Sequence, residues 1–176
     1  MRIDSRFFNR VIFIATIFSI VLIAIFTWKG SNDHKTDFIS KWMESSEWNN
    51  TYVRLLGSQD STRLGNINKP VIIYFWAGWS ELSINGLKEL ADLKPESFKL
   101  IAPVVKDNEE AQSRLDSVTT SKAILSYGTY LYLEKQVPAV PSLIYIDESG
   151  KITDIKIGYL DQTSLSQLPY FSRKSN

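Results

Sequence analysis

The sequence predicts an α/β domain, with a central mixed sheet flanked by helices, carried behind one N-terminal transmembrane helix. Three observations predict it. The stretch VIFIATIFSIVLIAIFTW, Val11 to Trp28, runs 18 residues without a charge. Further on, VIIYFW, Val71 to Trp76, is an unbroken run of β-branched and aromatic residues. That is the pattern of a strand covered on both faces, inside a mostly parallel sheet. Beyond it, strand-like runs alternate with helical periodicity, as in domains whose sheet is covered by helices.

Composition narrows the function. A chain of 176 residues has room for one domain able to bury a core, plus an appendage. Lys and Arg number 20 against 19 Asp and Glu, so nothing marks a nucleic-acid partner and none is expected. There is no cysteine and a single histidine, His34. Without cysteine the chain has no disulfide, no thiolate nucleophile and no zinc site of the Cys type. One histidine and no EF-hand spacing leave no metal site, and no cofactor is expected.

The uncharged span at 11–28 approaches the ~20 residues a helix needs to cross a hydrocarbon layer. Arg2, Arg6 and Arg10 precede it, and cationic residues collect on the cytoplasmic side of such spans. Residues 1–10 are therefore expected in the cytoplasm, and the rest outside it, on the periplasmic or cell-surface side of a single-pass membrane protein. A cleaved secretory signal is the competing reading, but its apolar region is shorter and FTWKGSN lacks the small-residue cleavage pattern. Residues 29–51 read as a polar linker, Gly30 to Thr36, and an amphipathic helix with Phe38, Ile39, Trp42 and Met43 on one face. The stripe is expected to pack on the domain in preference to the bilayer surface, because the polar face is not rich in Lys or Arg.

The domain proper spans 52–170, with a polar tail at 171–176. Turn residues at Gly57–Ser61 and Gly65–Pro70 predict a short hairpin or pair of extended strands before Val71. After the strand at Val71–Trp76, a helix places Ile84, Leu87, Leu90 and Ala91 on one face and stops at Pro95. FKLIAPVV, Phe98 to Val105, is the next strand, with pairing expected to end near Pro103, which has no donor for a ladder bond. Asn108 to Lys135 reads as helical, broken near Thr119–Ser121 or at Gly128. SLIYID is a strand, ESG a turn and KITDIKIGY its partner. Asp161 is an N-cap for a last helix, Gln162 to about Leu168.

The segment KPVIIYFWAGWSELSINGLKEL resembles the active-site segment of thioredoxin-like proteins, where an apolar strand and Phe-Trp-Ala-x-Trp lead into Cys-x-x-Cys at the start of a helix. VPAVPSLIYIDESGKI is similar to the stretch that carries the family's cis-proline and its last antiparallel hairpin. The single anchor is shared with the membrane-tethered extracytoplasmic branch, the thiol-disulfide reductases of cytochrome c maturation. The resemblance covers roughly Tyr52 to Leu168 and implies a thioredoxin-like fold. On it, Ser80 and Ser83 stand where the two redox cysteines belong. Glu81 and Leu82 replace the variable middle pair, Tyr74 takes the place of a buried aspartate, and Pro141, after Val140, is the expected cis-proline.

Disulfide exchange needs a thiolate to attack sulfur, and a serine hydroxyl neither ionises so readily nor forms a mixed disulfide. With both positions changed, intrinsic thioredoxin chemistry is excluded. Ser80 is no hydrolase nucleophile either, because GWSEL has Leu82 where the G-x-S-x-G elbow ends in glycine, and a serine needs a base, usually histidine. Ser80 reads instead as a helix cap, and Ser83 as a small polar residue of the first turn. Trp76 belongs in or beside the core, and the tyrosines at 127, 130 and 132 read as packing residues. Trp79 is either an interface anchor or a partly buried aromatic. The expected function is a non-catalytic protein- or peptide-binding module, with Trp79, Glu81, Leu82, Val140 and Pro141 as the contact residues. Its partner would be an extracytoplasmic or membrane protein. Two alternatives stand beside it: an accessory subunit of a thiol-disulfide or cytochrome maturation pathway whose partner supplies the cysteines, and a structural subunit of a membrane assembly.

Overall fold

The first long element of the chain is a single helix, α1, Ser5–Glu44. The computed structural model describes residues 5–44, 47–56, 58–106, 110–128, 137–168 and 170–171, and they divide into two units, one up to Asp37 and one from Phe38 onward. In the first unit the helix is long and apolar enough to cross a membrane, with a mean hydropathy of 2.7 and none of that window buried. Its polar side chains are satisfied within the helix: Thr16, Ser19 and Thr27 each donate a hydroxyl to the carbonyl four residues back, which removes an unpaired donor from an apolar medium. The polar stretch Gly30–Thr36, expected as a linker, is helical too. Most of its residues are weak helix formers, but it contains no proline, and the helical segments on either side let the helix propagate through it without a new nucleation step.

The second unit opens with the last turns of α1. Phe38 and Trp42 are buried, whereas Ile39 and Met43 are exposed, so half of the expected stripe packs and half does not. A 3₁₀ turn, Glu47–Asn50, leads to the antiparallel hairpin β1, Tyr52–Leu55, and β2, Ser61–Arg63. Then come β3, Val71–Phe75, α2, Glu81–Leu93, and β4, Lys99–Val104. Two short helices, α3, Glu110–Ser113, and α4, Ser117–Lys122, precede β5, Ala123–Tyr127. The hairpin β6, Ser142–Ile146, and β7, Ile152–Ile157, is followed by α5, Gln162–Ser166.

The seven strands form one mixed sheet in the order β2-β1-β5-β4-β3-β6-β7, with β3, β4 and β5 parallel. Side chains alternate across β3. Ile72, Tyr74 and Trp76 enter one core with the apolar face of α2, while Val71, Ile73 and Phe75 enter a second core with Phe38, Trp42 and Trp48. Trp42 meets the edge of Phe75 with ring centroids 6.4 Å apart. Both faces of β3 are thus covered, which is why its sequence is apolar without alternation.

Two expectations are corrected. Ala123–Tyr127 lies in a strand, not a helix: β5 pairs β4 on one side and β1 on the other. A short, mostly apolar run such as AILSY, largely buried, has the same signature as a buried helical turn, so periodicity cannot separate them. The helical break falls at Arg114–Asp116, where the Asp116 carboxylate accepts the Thr119 N–H at 2.7 Å and caps α4. Tyr127 belongs to β5; positions 130 and 132 lie outside the described residues. Pairing also continues past Pro103, which pairs Ser126 and is followed by Val104 against Tyr127. The missing donor shows on the other side. The β3–β4 ladder stops after Ile73–Ile101 and resumes only as a bridge between Trp76 and Val104. The Trp76 N–H reaches the Pro103 carbonyl at 3.1 Å. The Lys69–Pro70 and Val140–Pro141 peptide bonds are both cis.

Candidate functional site

At the C-terminal end of β3 the chain turns sharply into α2. The Ser80 N–H donates to the Ala77 carbonyl at 3.1 Å, and the Ser80 hydroxyl oxygen accepts the Ser83 N–H at 3.3 Å. Ser80 is therefore the N-cap of α2, satisfying one of the donors that every helix start leaves open. Glu81 follows in the first turn, exposed, where a negative charge suits the positive end of the helix dipole.

Ser83 does more than fill the first turn. It is fully buried, and its hydroxyl oxygen accepts the Ala77 N–H at 3.0 Å. Its carbonyl accepts the Tyr74 hydroxyl at 3.2 Å. Ser83 thus ties the end of β3 to the start of α2 from both its side chain and its backbone. Tyr74 points under the helix. A Cβ on Gly86 would fall 2.3 Å from its hydroxyl, so only glycine leaves room for the ring there. Burial first, then Tyr159 and Glu89, raise the Tyr74 pKa well above the phenol's usual value. It stays a protonated donor.

The two tryptophans of the corner have opposite fates. Trp76 is fully buried and donates its indole N–H to the Ala102 carbonyl at 3.0 Å. Trp79 is 63% exposed, and Leu82 beside it 57%. Arg114 donates to the Gly78 carbonyl at 2.5 Å, pinning the loop that presents Trp79 from the α3–α4 junction. No local pattern in QSRLD announces that role, because it depends on two segments far apart in sequence.

The cis Val140–Pro141 peptide comes to the same end of the sheet. In the β3–β6 register Ser142 faces Phe75, so Pro141 arrives level with Trp76. Pro141 is buried and its carbonyl accepts the Gly158 N–H at 2.8 Å. Val140 is half-buried, and neither of its backbone polar groups has a hydrogen-bond partner among the described residues. Just past Gly158, Tyr159 rests its ring near Gly86, stays 38% exposed and reaches Glu89 at 3.4 Å. The structure thus brings Ser80, Ser83, Val140 and Pro141 to one end of the sheet, with Trp79 and Leu82 on its exposed surface. Sequence reasoning missed Tyr159 and Arg114.

The chain has no cysteine, and the groups bonded to the Ser80 and Ser83 hydroxyls are backbone N–H donors. No imidazole or carboxylate among the described residues activates either serine, and no group of three or more His, Asp or Glu among them is placed to hold a metal.

No protein-family model matches the chain, and no curated protein sequence does. Solved structures do. The structure of MTB dsbF, in mixed oxidized and reduced forms, superposes with a TM-score of 0.59 at 15% identity, covering 70% of this chain and 94% of that one. The fold is thioredoxin-like. A secreted Mycobacterium tuberculosis disulfide oxidoreductase homologous to E. coli DsbE gives 0.57 at 14%, over 69% of this chain and 96% of that one. StoA from Bacillus subtilis gives 0.50 at 16%, over 66% and 93%. At these identities the likeness is one of fold. This chain has serine where the resemblance expects the two cysteines.

Proposed function

We propose that the protein is a membrane-anchored, extracytoplasmic thioredoxin-like module that holds an extended segment of another protein without reacting with it. The N-terminus would stay in the cytoplasm, as the arginines before the span suggest. The observation that carries the proposal is the surface at the end of β3. Trp79, in the turn just before the N-cap, and Leu82, in the first turn of α2, are both exposed, and the half-buried Val140 has neither backbone group paired among the described residues. An extended segment lying there gains main-chain hydrogen bonds from Val140 and apolar burial from Trp79 and Leu82, the two ingredients of strand-like peptide recognition. Glu81 stands at the rim, and Pro141 fixes the direction of the loop. The likeness to a secreted disulfide oxidoreductase supports an extracytoplasmic setting, and the lack of cysteine supports a non-catalytic role.

Affinity isolation of the full chain from its native membranes tests this. A discrete partner should co-purify with the wild-type protein. A central exposed tryptophan that anchors an interface carries about 2 kcal/mol or more, so Trp79→Ala should weaken the association roughly thirtyfold. Leu82→Asp should abolish it. A partner retained at full strength by both variants would refute the assignment.

A further inference from the structure

The sheet has two open edges, and they are not alike. β2, at one of them, is three residues long, and a very short edge strand is itself a protection against edge-to-edge pairing. β7, at the other, runs six residues, Ile152–Ile157, with neither proline nor glycine. Its hydrogen-bond phase is fixed at its end. Ser142 lies opposite Ile157, so Pro141 lies opposite Gly158, and the Gly158 N–H donates to the Pro141 carbonyl at 2.8 Å. In an antiparallel ladder, hydrogen-bonded and non-hydrogen-bonded pairs alternate. Lys156 and Asp154 therefore bond to Leu143 and Tyr145 of β6, while Ile155 and Ile157 turn their N–H and C=O groups outward. Those outward groups have no partner among the described residues.

The side chains of this edge carry a second, independent pattern. Ile155 and Ile157 are half-buried and pack on the core that holds Phe75. Asp154 and Lys156 lie on the opposite face, with 3.1 Å between carboxylate and ammonium. One is acidic and the other basic, two positions apart, with Ile155 midway between them. Such an edge is complementary to itself. Turned about a two-fold axis at Ile155, it sets each Asp154 opposite a Lys156.

We propose that two copies of the chain associate through the β7 edge, antiparallel about a two-fold axis at Ile155, joining their sheets. Centring there makes the two Ile155 residues a hydrogen-bonded pair, each N–H meeting the other's C=O. It also makes Asp154 and Lys156 of the second copy a non-hydrogen-bonded pair, twice over, in which side chains stand closest, with Cα atoms about 4.5 Å apart. The neighbouring registers fail. Centring on Asp154 or on Lys156 sets like charges directly opposite, which destabilises a strand pair. Centring between two residues sets an outward-facing residue against an inward-facing one and breaks the ladder. The ladder irregularity between Tyr145 and Ile146 bounds the paired stretch on one side, and Gly158, at φ +102°, bounds it on the other. The interface is therefore short and the association reversible.

The chain has no cysteine, so an introduced thiol is the only one present. Two full-length variants with different tags, Asp154→Cys and Lys156→Cys, are made together in one membrane and mildly oxidised. In this register the two thiols face each other at a Cα separation within the roughly 4.4–6.8 Å that a disulfide spans, and the other Asp154–Lys156 pair survives. Neither variant faces its own thiol, so the mixed adduct should exceed either homo-adduct at least about tenfold. Trp79→Ala in both chains should leave the yield unchanged, separating this edge from the corner. Sedimentation equilibrium of the cysteine-free chain in uncharged micelles tests the charges. Asp154→Lys and Lys156→Asp should each weaken self-association about tenfold, by setting like charges opposite. Mixing the two variants, or making both changes in one chain, should restore it. Equal mixed and homo-adducts, no mixed adduct, or self-association indifferent to the charge reversals would overturn the proposal.

Discussion

Ser80 caps α2 and Ser83 lies in its first turn; they hold the corner by different means, so their removal should not cost the same. Ser83→Ala strands the buried Ala77 N–H, and an unsatisfied buried donor costs about 1–3 kcal/mol. Ser80→Ala removes a half-exposed N-cap, worth about 1 kcal/mol. Chemical denaturation of the full chain in micelles should rank Ser83→Ala as the more destabilised. Gly86→Ala drives a methyl into the Tyr74 hydroxyl and should cost about 1–3 kcal/mol as overpacking. In a Tyr74→Phe background the same change should cost less, because the offending atom is gone, giving a non-additive cycle. The cap at Ser80 was legible in the sequence, since a serine between an apolar strand and a helical pattern is a local signal. The burial of Ser83 was not. It depends on how the Ala77 amide and the Tyr74 ring converge, and only the folded corner brings them together.

Among the elements, the end of α1 belongs to the core. Trp42→Ala should destabilise the domain by about 3–5 kcal/mol, while Met43→Ala, one position on and exposed, should change stability by less than about 0.5 kcal/mol. Thermal unfolding of the two variants checks this. The aromatic stripe was readable from spacing, but which half faces the sheet depends on how the helix meets β3. β3 and the β6–β7 hairpin were legible because an unbroken apolar run and a turn-bounded alternation are distinctive. β5 was not, since AILSY suits a buried strand and a helical turn equally. The caps of α4 and α5 make a pH prediction. Hydrogen bonds from Thr119 hold the Asp116 pKa below 3.8, and those from Ser164 do the same for Asp161. The unfolded chain therefore takes up protons first as pH falls. The caps' contribution is present above about pH 4 and is lost below it, as pH falls through the folded values. Asp116→Asn and Asp161→Asn keep a capping oxygen without the titration. Together they should flatten the acid limb of the stability curve between about pH 5 and 2.

At the scale of the whole molecule, an apolar helix suited to a membrane precedes a domain that has no disulfide. Two apolar cores pack within it, one on each face of a seven-stranded sheet. The end of β3 combines the corner, the cis Val140–Pro141 peptide and an exposed apolar surface, with the Ser80 and Ser83 hydroxyls bonded to backbone. The proposed function requires that this end of the sheet docks a protein segment. A photo-reactive amino acid placed at Leu82 in intact membranes, with Ser61 on the far edge strand as the control, tests it most directly. One discrete adduct should form from Leu82 only and be lost when Trp79 is changed to alanine. Equal capture at both positions, or an adduct indifferent to Trp79, would contradict it.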